Sequence, residues 1–377
     1  KIFFLMLCMI LVSCTGQKTG KENDNNDKIA IEVGEIKFPP QDVLQLKSYY
    51  LSSSVHVDSI DYLIGYNYRL HSLDCMNLKS KSVTQIVLPG DGPDAIVRLS
   101  GIYAQSLDSV WISDESERAF LIDSVGTIKR MIDLKKYLED QEQLLINTNY
   151  AMFTSHLFYN ASRHSLMFLV KHTPSNTFIV KEAFIDEVGK MATYQLSSSK
   201  VVPDMSKGYA YINFPNVNFV GENIVYNYPV ESSIYMLDIR TNERKYILAD
   251  SHYTSNIIEK CTTSGDYATL EKHWLENSHF YDIMYLPKYK IYARLHADKV
   301  DFDEKKGMEK LINERDLYLM LFDENMEKIG ETKLSNCRYS PFTSWNATYG
   351  GIALFVDNVL DEKNNTDDLT IDIISLK

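Results

Sequence analysis

Short runs rich in Tyr, Ile, Val, Leu and Phe recur along the chain in groups of four, and long amphipathic helical runs are nearly absent. Runs of this length bounded by Asn, Asp, Ser and Gly read as strands joined by tight turns, which excludes alternating βα folds. Residues 54–88 hold Ser54–Asp58, Ile60–Tyr66, Arg69–Cys75 and Ser82–Leu88. The next group holds Ile102–Gln105, Ser109–Ser113, Arg118–Asp123 and Thr127–Leu134. Further groups span 150–196, 213–248 and 266–334, while the last, 338–376, supplies only three strands. The reading is an all-β, six-bladed β-propeller whose last blade is completed by an N-terminal strand, expected at Val43–Leu51. Closure matters because an open series of sheets leaves unpaired edges, whereas a ring of blades protects them.

Even division gives about 56 residues per blade, above the roughly 40–50 usual for propeller repeats, so seven blades is the alternative by division alone. The strand count favours six, because the excess sits in four insertions: Lys135–Asn149, Ser197–Ile212, Ala249–Gly265 and Ala297–Arg315. Within them, Lys136–Ile146 and Asp303–Glu314 have the charge density of short surface helices.

At the N-terminal end Lys1 precedes the apolar run Ile2–Val12, too short to cross a bilayer and laid out as a secretory signal. Its end, Leu11-Val12-Ser13-Cys14, resembles the bacterial lipobox, which implies acylation of Cys14. Acyl chains contribute about 0.8 kcal/mol per buried methylene, so several on one cysteine hold a protein durably at a membrane. From Thr15 to Lys28 no large apolar residue occurs, as in a flexible tether. The expected organisation is a signal over 1–13, a tether over 14–28 and a propeller over 29–377. The expected address is the cell envelope, at the outer membrane, with the periplasmic or surface face left open.

A formal net charge of −12 repels phosphate backbones and makes nucleic acid an unsuitable partner. Apart from Cys8 and Cys14, the cysteines Cys75, Cys261 and Cys337 are an odd remainder without zinc or C-x-x-C spacing, read as small buried hydrophobes.

The segment Leu88-Pro89-Gly90-Asp91-Gly92-Pro93-Asp94, then Ile102-Tyr103, then Ser109-Val110-Trp111-Ile112-Ser113-Asp114, resembles the NHL-like six-bladed propellers. With the lipobox and Tyr49-Tyr50-Leu51-Ser52 ahead of the first blade, the chain is similar to the propeller lipoproteins of unknown function of gut Bacteroidota, the domain of unknown function 4221 type. That resemblance implies a fold and an address. It brings no activity and no site.

Other motifs yield no cofactor and no metal. Gly90-x-Gly92-Pro93 lacks the Lys-Ser/Thr of a phosphate loop and reads as an inter-blade turn. Asp301-x-Asp303-x-Lys305-x-Gly307 has its glycine one place late for a calcium loop and Ile312 where a bidentate Glu belongs, so it reads as a solvated helix start. The acidic run Asp361–Asp368 reads as a hairpin tip. None of the nine histidines falls in a metal-binding spacing, and no Gly-x-Ser-x-Gly elbow occurs. Asp58-Ser59, Asp108-Ser109 and Asp123-Ser124 resemble the Asp-Ser-aliphatic O-glycan sites of gut Bacteroidota, or are turns where Asp and Ser are favoured anyway.

The expected function is a binding or interaction module for a glycan, peptide or partner protein. The alternatives are an envelope hydrolase or lyase with its site at the propeller mouth, which clustered carboxylates there would favour, and an accessory subunit of an outer-membrane complex. In a four-stranded blade, connections from an outer strand to the next inner strand emerge on one face, so Ser197–Ile212 and Ala249–Gly265 should share it with Asp91–Arg98. Ordered loops on a rigid scaffold are where binding usually resides. Tyr209, Tyr211, His252 and Tyr253 are the candidates to stack on a ligand, and Asp94 and Arg98 to fix its polar groups. The other reading of the tyrosines is that they cover the core.

Overall fold

The computed structural model describes residues 30–40, 46–187, 189–201, 209, 212–261, 266–363 and 367–377. The signal, Cys14 and the tether lie outside the described residues, as does Tyr211. The strands form six sheets, each the blade of a ring. Blade 1 is Ser52–Val57, Ile60–Asn67, Ser72–Asn77 and Val83–Val87; blade 2 is Leu99–Ser106, Ser109–Asp114, Arg118–Ile122 and Ile128–Asp133. In both, each strand pairs antiparallel with the next, from the axis outward. Blade 4 (Asn216–Val220 to Arg244–Ile247) and blade 5 (His279–Leu286 to Lys328–Lys333) repeat the plan.

Alternation along the strands explains the ring, because side chains of one blade point in turn to its two neighbours. Ile64 packs toward blade 2 and Leu63 toward blade 6. Val110 and Ile112 face blade 1, while Trp111 between them faces blade 3. Ile224 faces blade 3 and Val225 faces blade 5. Apolar clusters of this kind occupy all six inter-blade boundaries, including the one between blades 6 and 1. The ring is therefore closed, and the six-blade reading holds over seven.

The closing strand is Ile31–Phe38, which corrects Val43–Leu51. Eight residues pair in register from Ile31 with Leu376 to Phe38 with Leu369, completing blade 6 outside Trp345–Ala347, Ile352–Phe355 and Leu369–Leu376. Of the expected segment, 46–51 runs as bends, and Tyr49 lies buried over Gly65, where a Cβ would run into its ring. The true strand is masked in sequence because it is an outer edge: its exposed Glu32, Glu35 and Lys37 keep that edge from pairing elsewhere.

Blade 3 departs from the plan. Its second strand, Ser165–His172, pairs on its inner side with two pieces, Glu142–Leu144 and Phe158–Asn160. The inner strand is thus interrupted by an excursion, 145–157, which carries the hairpin Asn147–Asn149/Phe153–Ser155 and docks on the inner strand of blade 4. The helix expected at Lys136–Ile146 is only a single turn, Leu134–Tyr137, capped by Asp133. Its charge density has another cause: Glu142 is drawn into the sheet by the fully buried Lys181, 2.5 Å from its carboxylate. The second expected helix is present as Met308–Asn313, and a further helix, Tyr267–Leu275, opens the fifth group ahead of its four strands. No disulfide forms among the described residues; Cys75 is buried as expected, whereas Cys261 and Cys337 are half-buried. Among the described residues no helix is long and apolar enough to cross a membrane.

Candidate functional site

The excursion from blade 3 decides what the axis of the ring can do. Tyr150, between its two short strands, is fully buried against Trp345 of blade 6 (ring centroids 3.9 Å apart) and Tyr281 of blade 5 (6.3 Å). Both partners lie toward the starts of their inner strands, so Tyr150 closes the axis on the face of the inter-blade connections. Below it an axial funnel of about 330 Å³ is lined by inner-strand residues of all six blades, out to Gly221 and Pro287 at first-to-second strand turns. One wall is aromatic, with Phe158 stacked on Phe219 at 5.0 Å and edge-on to Tyr103 at 5.1 Å. Another is polar and tied across blades: Asn346 Nδ2 donates to Ser52 Oγ at 2.7 Å, and Asn218 Nδ2 to the Ile283 carbonyl at 2.9 Å.

Among the described residues one carboxylate, Asp282, lines this funnel, and it is almost completely buried. It accepts from Trp345 Nε1 at 3.1 Å and from His156 Nε2 at 3.0 Å. The cluster of carboxylates that would favour an enzyme is therefore replaced by a single Asp–His pair.

On the opposite face a larger groove, about 630 Å³, runs between blades 1, 2 and the excursion. Its lining includes Tyr50, Tyr68, Arg98, Glu115, Asn147 and Asn149. Tyr50 and Tyr68 are 57% and 50% exposed, unusual for large rings beside a groove, and Arg98 Nε sits 3.6 Å from Glu115. Burial and the nearby Asp357 raise the Tyr50 hydroxyl above its ordinary range, so it stays a neutral donor.

Strand order does place 88–98 and the described residues of 197–212 and 249–278 on one face, as outer-to-inner connections. It does not gather the candidates, because these loops leave different blades. Arg98 lines the groove, and Asp94 is exposed on the same connection. Tyr209 is 4% exposed and belongs to the core between blades 3 and 4, so its ring covers the interior instead of offering a stacking face. Tyr253 is 42% exposed but stacked on Tyr318 at 5.0 Å. The exposed His252 is held through its backbone N–H, which donates to Glu331. Gly92, at φ +91°, makes the expected inter-blade turn.

The three Asp-Ser pairs lie in turns or where a turn meets a strand: Ser124 donates to Asp108 at 2.7 Å, Ser109, which opens a strand, donates to Gln105 at 3.2 Å, and Ser59 has φ +63°. Asp303 caps its own loop through Lys305 N, ahead of the helix at Met308, and no metal-binding cluster occurs among the described residues. Sequence reading missed His156, Asp282, Tyr50 and Tyr68. The available signal was polar residues inside inner strands, at Ser52-Ser53-Ser54, Asn218 and Asn346, where a packed strand would be apolar.

The model of a family described as a domain of unknown function (DUF4221) matches residues 22–333. A crystal structure of a member of that family from Bacteroides vulgatus is similar with TM-score 0.74 at 14% identity, covering 93% of this chain and 99% of that one. A candidate exported protein of Bacteroides fragilis gives TM-score 0.56 at 13% identity, over 93% and 97% of the two chains. At such identities the likeness shows the fold. A comparison with curated proteins finds no match.

Proposed function

The chain belongs to the DUF4221 family, a domain of unknown function, and from that premise we propose that it is an envelope propeller binding an oligosaccharide in the groove of blades 1 and 2. The observation that carries this reading is the pairing of two half-exposed tyrosines with Arg98, Glu115 and two asparagines around one cavity. Sugars present apolar ring faces and radial hydroxyls. Aromatic faces with nearby charged and amide groups complement both. The envelope location is supported by the candidate exported protein of similar fold, and the lipobox at Cys14 supports attachment to the outer membrane through a lipid.

The experiment is a screen of the full chain against immobilised neutral and acidic oligosaccharides, followed by calorimetry on the best binder. Tyr68→Ala should weaken that binding by about tenfold, the effect of losing about 1.4 kcal/mol of ring contact. Arg98→Ala should do at least as much. If no oligosaccharide binds, or both variants bind unchanged, the reading fails; a hit among peptides with the same two variants affected would move the groove to a peptide ligand.

A further inference from the structure

The axial funnel lies on the other side of Tyr150 from the groove and holds an arrangement that sugar binding at the groove does not use. Asp282 is a carboxylate, an acceptor only, so the His156 Nε2 that it holds at 3.0 Å carries the proton. Trp345 Nε1 fixes the other carboxylate oxygen at 3.1 Å. Asp282 therefore sets both the tautomer and the ring plane of His156. The remaining ring nitrogen, Nδ1, has no protein partner among the described residues, and His156 is partly exposed in the lining of the funnel. An imidazole pinned in this way through Nε2 presents Nδ1 to whatever enters, the layout of a general base oriented by a buried carboxylate.

The surroundings restrict the substrate. Among the described residues no Lys or Arg lines the funnel, so no fixed cation there would hold an anion. Leu157, Phe158, Phe219 and Met284 supply an apolar wall. Asn218 and Asn346 each donate one amide N–H within the protein and keep a second to offer to an oxygen. The other titratable groups facing His156 are Tyr103 and Tyr285, both pushed above their ordinary range mainly by burial and hence neutral. We propose that the funnel is a hydrolytic site for small neutral carboxylic esters, with His156 as general base and Asp282 as its positioning residue.

The step balances without a cofactor. His156 Nδ1 takes a proton from water as the water oxygen adds to the carbonyl carbon. The C–O bond to the alcohol then breaks, the leaving oxygen takes that proton from Nδ1, and a carboxylic acid, an alcohol and neutral imidazole result.

The test uses the full chain and p-nitrophenyl acetate, following p-nitrophenolate release over many turnovers. His156→Ala should lower the rate by about 100-fold or more, the usual worth of a positioned base. His172→Ala, at a half-buried histidine outside the funnel lining, should leave it unchanged. Asp282→Asn should lower kcat while leaving KM nearly unchanged, and Asp282→Glu, which keeps a carboxylate acceptor for His156 Nε2, should restore part of the rate; a merely structural Asp282 would show no such split and no such rescue. A measurement on unmutated protein guards against misfolded variants: diethyl pyrocarbonate should carbethoxylate His156 and abolish turnover, and hydroxylamine should restore it. Turnover no faster than that of free imidazole at equal concentration overturns the proposal. So does turnover that survives full modification of His156 or its replacement by Ala in a folded variant.

Discussion

Removing the strand Ile31–Phe38 tests the closure of the ring, and the size of the effect can be worked from its contacts. Eight residues pair with Leu369–Leu376. The ladder nets little, because about 1 kcal/mol per hydrogen bond is set against about 1–2 kcal/mol per residue of backbone ordering. Side-chain burial remains. Phe38 is fully buried between blades 6 and 1, worth about 3–5 kcal/mol on removal. Ile36 packs against the same cluster while half-buried, which adds about 1 kcal/mol. Glu35 accepts from Arg338 Nη2 at 2.9 Å, but it is substantially exposed and adds less than about 1 kcal/mol. The total is about 4–6 kcal/mol. Unfolding entropy of about 2.1 cal/mol/K per residue gives about 0.7 kcal/mol/K for a ring of this length, so Tm should fall by about 6–9 °C. The assay compares thermal melts of two truncations, one beginning at Ala30 and one at Pro39. The shorter chain should also self-associate by light scattering, since Leu369–Leu376 becomes an unprotected edge. Melting within a degree of each other, with both chains monomeric, would refute the reasoning.

Two further outcomes follow. Glu331, held at about 2 chiefly by bonds from His296 and Ser251 that outweigh its burial, contributes stability that is complete above about pH 4.5 and lost as pH falls toward 2; Glu331→Gln should destabilise by about 1–3 kcal/mol at pH 7 and flatten that part of the acid-unfolding curve. Cys14→Ala should leave the propeller folded and release it from the membrane fraction, and a variant that still sediments with membranes after a salt wash would remove the lipid assignment.

Blade number and strand grouping were legible because period-two alternation is a local property. Each blade buries both faces against its neighbours, so runs such as Val110-Trp111-Ile112 declare themselves without knowledge of the partner. The closing strand was not legible for the opposite reason. Ile31–Phe38 is an outer edge with four consecutive exposed residues, 32–35, and its charges look like those of a linker until Leu369–Leu376 is placed beside it. Lys136–Ile146 misled in the same way: Glu142 reads as a solvated helix residue unless Lys181, distant in sequence, is known to be buried and to need a counter-charge. In a chain with 25 tyrosines most must pack, and Tyr209 does.

The sites were illegible because they are made by one insertion acting across the ring. Within 145–157 and the residues that bound it, Ile146–Asn149 line the groove, Tyr150 seals the axis, and His156 and Phe158 line the funnel. An uninterrupted inner strand in blade 3 would leave the axis open and supply neither the asparagines on one side nor the histidine on the other. Asp282 meets His156 only because this excursion brings 156 to blade 5, a contact spanning 126 positions in sequence. Spacing rules detect ligands and bases that share a helix or a turn. In a propeller the functional unit is the set of inner strands, one from each blade, and its members are neighbours in space while lying a full blade or more apart along the chain.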